Sequence, residues 1–391
     1  MAENRIPVTL LTGFLGAGKT TLLNQLIQLP EMSKALVIIN EFGSVGIDHD
    51  LVTQSNENDA VVEMSNGCLC CTIKGDLQKT LREAPWRFSR EGKCWFDRVV
   101  IETTGLADPA PIIHTVMADD ALKARYRLAS VLTLADAVNG FDTLDMQPEA
   151  IKQAAVADRL LISKTDLADE ATVKALSARL RRLNPAAPMQ LLPCSDSELA
   201  TVFESSDFNP ELKSEDVRNW LAEEAYAGDG HHHHDHGHHD HGHDHHDHHG
   251  HDHHHHGHDH HDHHHDVNRH DDRIRSVCLT LDDPIPAEIF DSWLEMLVTF
   301  NGVNVLRVKG LLNLVELDKP LVIHGVQHIW HPPVKLDDWP SDDHRSRIVF
   351  ILRDLEESDL RDMLTFVTDK FEKSHIMGLD DAPELVDASV G

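Results

Sequence analysis

Residues Gly13-Phe14-Leu15-Gly16-Ala17-Gly18-Lys19-Thr20 fit the pattern GxxxxGK[ST], between an apolar run at 8–11 and a helical pattern at 20–29. That context leaves a chain few options. The apolar run has to be a buried strand, and the helix has to begin where the glycines end. The glycines let backbone N–H groups curl around phosphates, and the helix N-terminus adds a favourable dipole. Lys19 is placed to reach β- and γ-phosphates, and the Thr20 hydroxyl to ligate Mg²⁺. The nucleotide-binding set read from this stretch is Gly13, Gly16, Ala17, Gly18, Lys19, Thr20 and Thr21.

The rest of the first 200 residues supports that context. Apolar runs at 35–39, 98–101, 131–134 and 159–162 read as further buried strands, and 172–183 reads as a helix. Short continuous apolar strands alternating with helices imply an α/β fold with a mostly parallel sheet covered on both faces. At the end of one such strand stands Glu102-Thr103-Thr104-Gly105. Its carboxylate can hold Mg²⁺ through water, and the Gly105 N–H can meet a γ-phosphate. Ser163-Lys164-Thr165-Asp166 follows another strand and resembles the [NT]KxD guanine motif. Asp166 can accept from guanine N1–H and the 2-amino group, donors that adenine lacks there, while the Lys164 stem packs on the purine. These features predict a GTPase with Lys19, Thr20 and Glu102 as its catalytic residues. The sequence offers no arginine finger or water-positioning Gln, which predicts slow intrinsic turnover.

Two other stretches point to metal. Cys68, Cys70 and Cys71 lie within four residues, between the phosphate loop and Glu102. Three thiolates so close suit a soft or borderline cation such as Zn²⁺, with a fourth ligand from elsewhere or from water. Residues 231–266 hold only 24 His, 8 Asp and 4 Gly, beginning at His231, His232, His233 and His234. With nothing apolar to bury, that tract is expected to be a disordered linker. Its imidazoles are mostly neutral at cytosolic pH and suit collection of Zn²⁺, Ni²⁺ or Co²⁺. The remaining cysteines, Cys94, Cys194 and Cys278, are read as packing residues.

Beyond the tract, 275–281, 303–308, 312–317, 321–325 and 347–352 are expected to be strands, the middle three forming an antiparallel meander. Helices are expected at 287–298 and 356–371. The predicted domains are a P-loop GTPase domain at 1–225, a His/Asp-rich linker at 226–272 and a smaller α+β domain at 273–391. The formal charge of −31 argues against a nucleic-acid partner. No apolar run approaches the roughly 18 residues that span a bilayer. With no secretory signal either, the expected location is the cytoplasm.

Together these parts resemble the CobW-like GTPases, relatives of HypB and UreG. The resemblance rests on residues 11–21, Asn40-Glu41-Phe42-Gly43, Gly67-Cys68-Leu69-Cys70-Cys71, Glu102-Thr103-Thr104-Gly105, Ser163-Lys164-Thr165-Asp166 and Leu306-Arg307-Val308-Lys309-Gly310. It implies a GTP-dependent metallochaperone that binds zinc, or cobalt or nickel, at the three cysteines and delivers it to a client metalloprotein. It also implies that Glu41 lies in the first switch segment, holding Mg²⁺ or the transferred metal. A homodimer is compatible with it. A GTP-regulated metal store and a cobalt-delivery GTPase of cobalamin synthesis are the alternatives, and a small-molecule P-loop kinase is a third.

Overall fold

The computed structural model describes residues 5–40, 60–64, 71–204 and 273–376. Its first sheet has seven strands: β1 (Ile6–Gly13), β2 (Ala35–Asn40), β3 (Ala60–Met64), β6 (Arg98–Glu102), β7 (Tyr126–Asp136), β8 (Arg159–Ser163) and β9 (Met189–Leu191). A two-strand hairpin, β4 (Ser89–Arg90) and β5 (Lys93–Cys94), lies apart from it. The sheet order is β3-β2-β6-β1-β7-β8-β9, and every pairing in it is parallel. Parallel strands need crossovers, and helices fill them on both faces. One apolar layer joins Leu22, Leu23 and Leu26 to Leu11, Val37 and Val100. The opposite layer joins Leu77, Leu81, Ile113 and Val116 to Val8, Leu10, Leu36 and Ile101.

Register brings the functional strand ends to one edge. Leu11 pairs with Glu102, Gly13 with Leu134, and Asp136 with Ser163. The loops after β1, β6, β7 and β8 therefore all open at the carboxyl edge, where open α/β sheets bind ligands.

The second sheet is antiparallel, with β10 (Ile274–Leu281), β11 (Val305–Leu312), β12 (Leu321–Val326), β13 (Ile329–Trp330), β14 (Val334–Lys335) and β15 (Ser346–Arg353). Helices Ala287–Asn301 and Glu357–Ile376 cover one face through Phe290, Trp293, Leu297 and Leu360. The expected strand at 312–317 does not form. β11 runs on to Leu312, so the meander is two long strands, and Leu314 bridges to Ile285 instead. Leucine alternation simply continues past the true strand end.

The other face of this sheet meets the first domain. Leu306 and Ile351 pack on Ala155, while Val326 and Ile329 join the layer around Leu36, Ile113 and Tyr126. Register places Arg307, Lys309 and His324 on that same face. Arg307 reaches the Val156 carbonyl and Asp158, and Lys309 Nζ lies 3.7 Å from Asp158 Oδ1. The His114 and His328 rings meet across the same boundary at 5.3 Å.

Candidate nucleotide site

The phosphate loop is built around glycine backbone. Gly13 has φ +143°, and a Cβ there would come within 2.5 Å of the Leu134 carbonyl oxygen. Helix Lys19–Leu26 follows with Gly18 as its N-cap. Lys19 is buried, and its ammonium donates to the carbonyls of Gly13 at 2.9 Å and Phe14 at 3.1 Å. It thus folds back over the loop it would share with phosphates. Gly16 and Thr21 are exposed, Ala17 is buried, and Thr20 is half-buried.

Thr20 Oγ1 donates to Glu102 Oε1 at 2.9 Å. The two residues are 82 positions apart in sequence. Glu102 is buried at the end of β6. A hydroxyl and a carboxylate side by side are hard oxygen donors, and this donor set fits Mg²⁺ rather than a soft metal. Past Glu102 the chain folds onto the phosphate loop. Thr103 N–H donates to the Leu11 carbonyl at 2.9 Å, and a Cβ on Gly105 would strike the Leu15 backbone nitrogen at 2.4 Å. Only glycine allows that approach.

The guanine-type motif is tied to the phosphate loop. Ser163 Oγ donates to the Ala17 carbonyl at 2.7 Å, so the serine does link the two loops. Lys164 has φ +57° and its ammonium lies 2.6 Å from Asp136 Oδ2. Asp166 is exposed at the turn, open to a base. Sequence reasoning passed over Asp136, which ends β7. Burial pushes its carboxyl up, but hydrogen bonds from Lys164, Asn139 and the Val138 N–H outweigh that and hold it below the usual range. Asp136 therefore stays ionised and fixes the lysine and the 137–139 turn together. Asp136 stands directly before that turn, and beyond its place at a strand end nothing in the sequence marks it.

Gln153 was missed as well. It is fully buried on helix Pro148–Ala155, and its Nε2 donates to the carbonyls of Gly105 at 3.1 Å and Ala107 at 3.0 Å.

Glu41, Cys68, Cys70 and His231, His232, His233 and His234 lie outside the described residues. Cys71 begins helix Cys71–Arg87. Among the described residues, no three His, Cys, Asp or Glu side chains gather as a metal site. Of the other cysteines, Cys194 and Cys278 pack partly against apolar clusters. Cys94 is exposed on the β4–β5 hairpin, contrary to its expected packing role, because a two-residue strand pair has no face to bury it.

The CobW/HypB/UreG nucleotide-binding domain model matches residues 7–190, and the cobalamin synthesis protein cobW C-terminal domain model matches 274–367. Zinc chaperone YjiA of Escherichia coli (strain K12) is 31% identical over 362 residues, spanning 92% of this chain and 97% of YjiA. This chain belongs to the CobW/HypB/UreG family. Another relative within the reach of this CobW-type chain is zinc-regulated GTPase metalloprotein activator 1 of Schizosaccharomyces pombe. It is 35% identical over 184 residues, covering 46% of this chain and 44% of that protein. Among solved structures, Zn(II)-bound YjiA GTPase from E. coli aligns with TM-score 0.61 at 26% identity, over 93% of this chain and 99% of that one. Among the described residues of this CobW-type chain, no helix is long and apolar enough to cross a membrane.

Proposed function

We propose that this chain is a GTP-hydrolysing metallochaperone that carries zinc at Cys68, Cys70 and Cys71 and hands it to a client metalloprotein. The observation that carries the nucleotide half is the tether from Ser163 Oγ to the Ala17 carbonyl. It fixes a guanine-type motif to a phosphate loop, so base and phosphates are read by one rigid edge. Lys19 exchanges its two loop carbonyls for phosphate oxygens. Thr20 and Glu102 hold Mg²⁺, which neutralises charge on the phosphates when bound. Gly105 presents its N–H to the γ-phosphate. Turnover by the chain alone is slow.

The metal half is supported by relatives named as a zinc chaperone and a zinc-regulated GTPase metalloprotein activator. Zinc is the cargo here, and the His tract from His231 onward collects it. A cytoplasmic location and the domain boundaries at 225 and 273 belong to the same reading.

The test uses chelator-stripped protein loaded with zinc, nickel or cobalt separately, with transfer to an apo-metalloprotein followed under GTP and GDP. The expected result is zinc transfer that requires GTP, is lost when the three cysteines become Ser, and survives deletion of 231–266. Transfer that collapses on deletion of the tract, with the cysteines dispensable, would make the protein a metal store. GTP-dependent transfer of cobalt in preference to zinc would place it in cobalt delivery.

A further inference from the structure

Helix Pro148–Ala155 touches the nucleotide edge at one side and the second domain at its end. Proline at its first position and Glu149 in its first turn start it, and Ala150, Ile151, Gln153, Ala154 and Ala155 form its buried face. A buried glutamine on such a face has to find partners. Gln153 Nε2 finds the carbonyls of Gly105 and Ala107. Its neighbour Lys152 donates to Asp108 Oδ2 at 3.4 Å. The Thr133 hydroxyl donates to the Gln153 carbonyl at 2.8 Å, which pins the helix to β7. Lys152 and Gln153 thus grip loop 102–109, and the Gln153 carbonyl holds the strand beside the site.

The far end of the same helix is held by the other domain. Ala155 is fully buried against Leu306 and Ile351. The chain turns at Val156, whose carbonyl accepts from Arg307 Nη1. Two residues on, Asp158 accepts from Arg307 Nη2 and, through Oδ2, from the Val131 N–H at 2.8 Å. Arg307 and Asp158 have nearly no exposed side chain, at 5% and 0%. A guanidinium fork spending one arm on a carbonyl and one on a carboxylate fixes direction as well as distance. From Arg307 to Gly105 the path is a single short helix.

We propose that this helix is a lever by which the C-terminal domain sets the nucleotide-sensing loop. Gln153 is the positioning residue at the loop end, and Arg307 is the positioning residue at the domain end. The inference rests on the reading that loop 102–105 meets the γ-phosphate. When that loop closes on GTP, the Gly105 and Ala107 carbonyls move, Gln153 carries the helix with them, and Arg307 follows Val156. GDP makes no such demand. By linkage, whatever draws the C-terminal domain to one position changes the preference of the site for GTP over GDP by the same factor.

The test is the affinity of the full chain, stripped of metal, for fluorescent GDP and for a non-hydrolysable GTP analogue. Wild type is compared with Gln153→Met, Arg307→Met and the double variant. In Gln153→Met the preference for the analogue over GDP is expected to fall about 5- to 50-fold, because the loop that meets the γ-phosphate loses two buried hydrogen bonds that hold it. GDP affinity is expected to stay within about twofold, since GDP does not engage the loop. Arg307→Met should shift the same preference in the same direction from the other domain, and the double variant should lose less than the product of the two. Equal weakening of both nucleotides, or a preference untouched by Arg307→Met, overturns the lever. A measurement on wild type needs no variant to fold: hydrogen exchange in 148–158 and in the 327–328 turn should be slower with the analogue than with GDP. Equal exchange in the two states overturns the lever as well, while the guanine reading stands if both nucleotides bind. Absence of any nucleotide binding by wild type would sink both.

Discussion

Asp158 carries the sharpest energetic prediction. Its side chain is fully buried between two cations, Arg307 in direct contact and Lys309 at 3.7 Å, and its second oxygen accepts the Val131 N–H. Asp158→Asn keeps the shape and an acceptor for Val131, removes the charge, and puts an amide NH2 donor where Arg307 and Lys309 need an acceptor. Arg307 and Lys309, each with 5% of its side chain exposed, are then left facing each other across a buried neutral amide. Removing one partner of a buried pair costs about 3–5 kcal/mol, because the remaining charge is still desolvated. Arg307→Met is the milder change, since Asp158 keeps Lys309 and the Val131 N–H; about 1–3 kcal/mol is expected there. At roughly 2–4 °C per kcal/mol for units of this size, Asp158→Asn should lower the melting temperature by about 6–20 °C. Thermal and urea unfolding of metal-free protein would measure both variants. If Asp158→Asn costs less than Arg307→Met, the aspartate is not the centre of the cluster, and the account of the domain interface is wrong.

The interface should also be pH-sensitive. Burial and then Arg307 push His331 down to about 3, with Arg5 and Lys309 adding to it, and burial and Lys309 push the neighbouring His324 well down too. Both rings are neutral when folded and take up protons on unfolding below about pH 6.5, so stability is full above 6.5 and falls as pH drops toward 3. Unfolding measured from pH 5 to 8 should show a shallower pH dependence for His331→Gln than for wild type; identical slopes would count against it. Ser163→Ala removes the tether to Ala17 and should weaken GTP binding by about 1 kcal/mol, roughly fivefold, as measured by titration. Asp166→Ala should cost GTP about 2 kcal/mol or more and leave ATP unchanged; wild type binding ATP as tightly as GTP would refute the base assignment. Gly105→Ala puts a carbon where the Leu15 backbone stands, and GTP hydrolysis should fall at least about tenfold while helical content is retained.

The nucleotide edge was legible because its physics is local. A buried parallel strand is a short apolar run, and the phosphate loop follows one with its glycines in order. Asp136 and Gln153 were not legible, because each is an ordinary polar residue until the fold brings Lys164 or the Gly105 carbonyl to it. The domain interface was hidden for a further reason. Leu306-Arg307-Val308-Lys309 alternates like a strand with one wet face, yet every residue of β11 is buried. Its charged face is covered by a domain whose contacting aspartate stands 149 positions away. The strand expected at 312–317 shows the converse error: periodicity runs on where hydrogen bonding stops.

The strand order of the first sheet also sets a timetable for synthesis. β1 is complete at Gly13, but its two neighbours begin at Arg98 and Tyr126. On a ribosome adding about 5–20 residues per second, the phosphate loop waits roughly 5–20 seconds or longer before its supporting strands emerge. During that interval Val8, Leu10 and Leu11, all essentially inaccessible in the finished protein, have no sheet to enter. GTP cannot assist at that stage, since its binding edge depends on β6, β7 and β8. Burial of those side chains during that interval therefore cannot come from nucleotide binding.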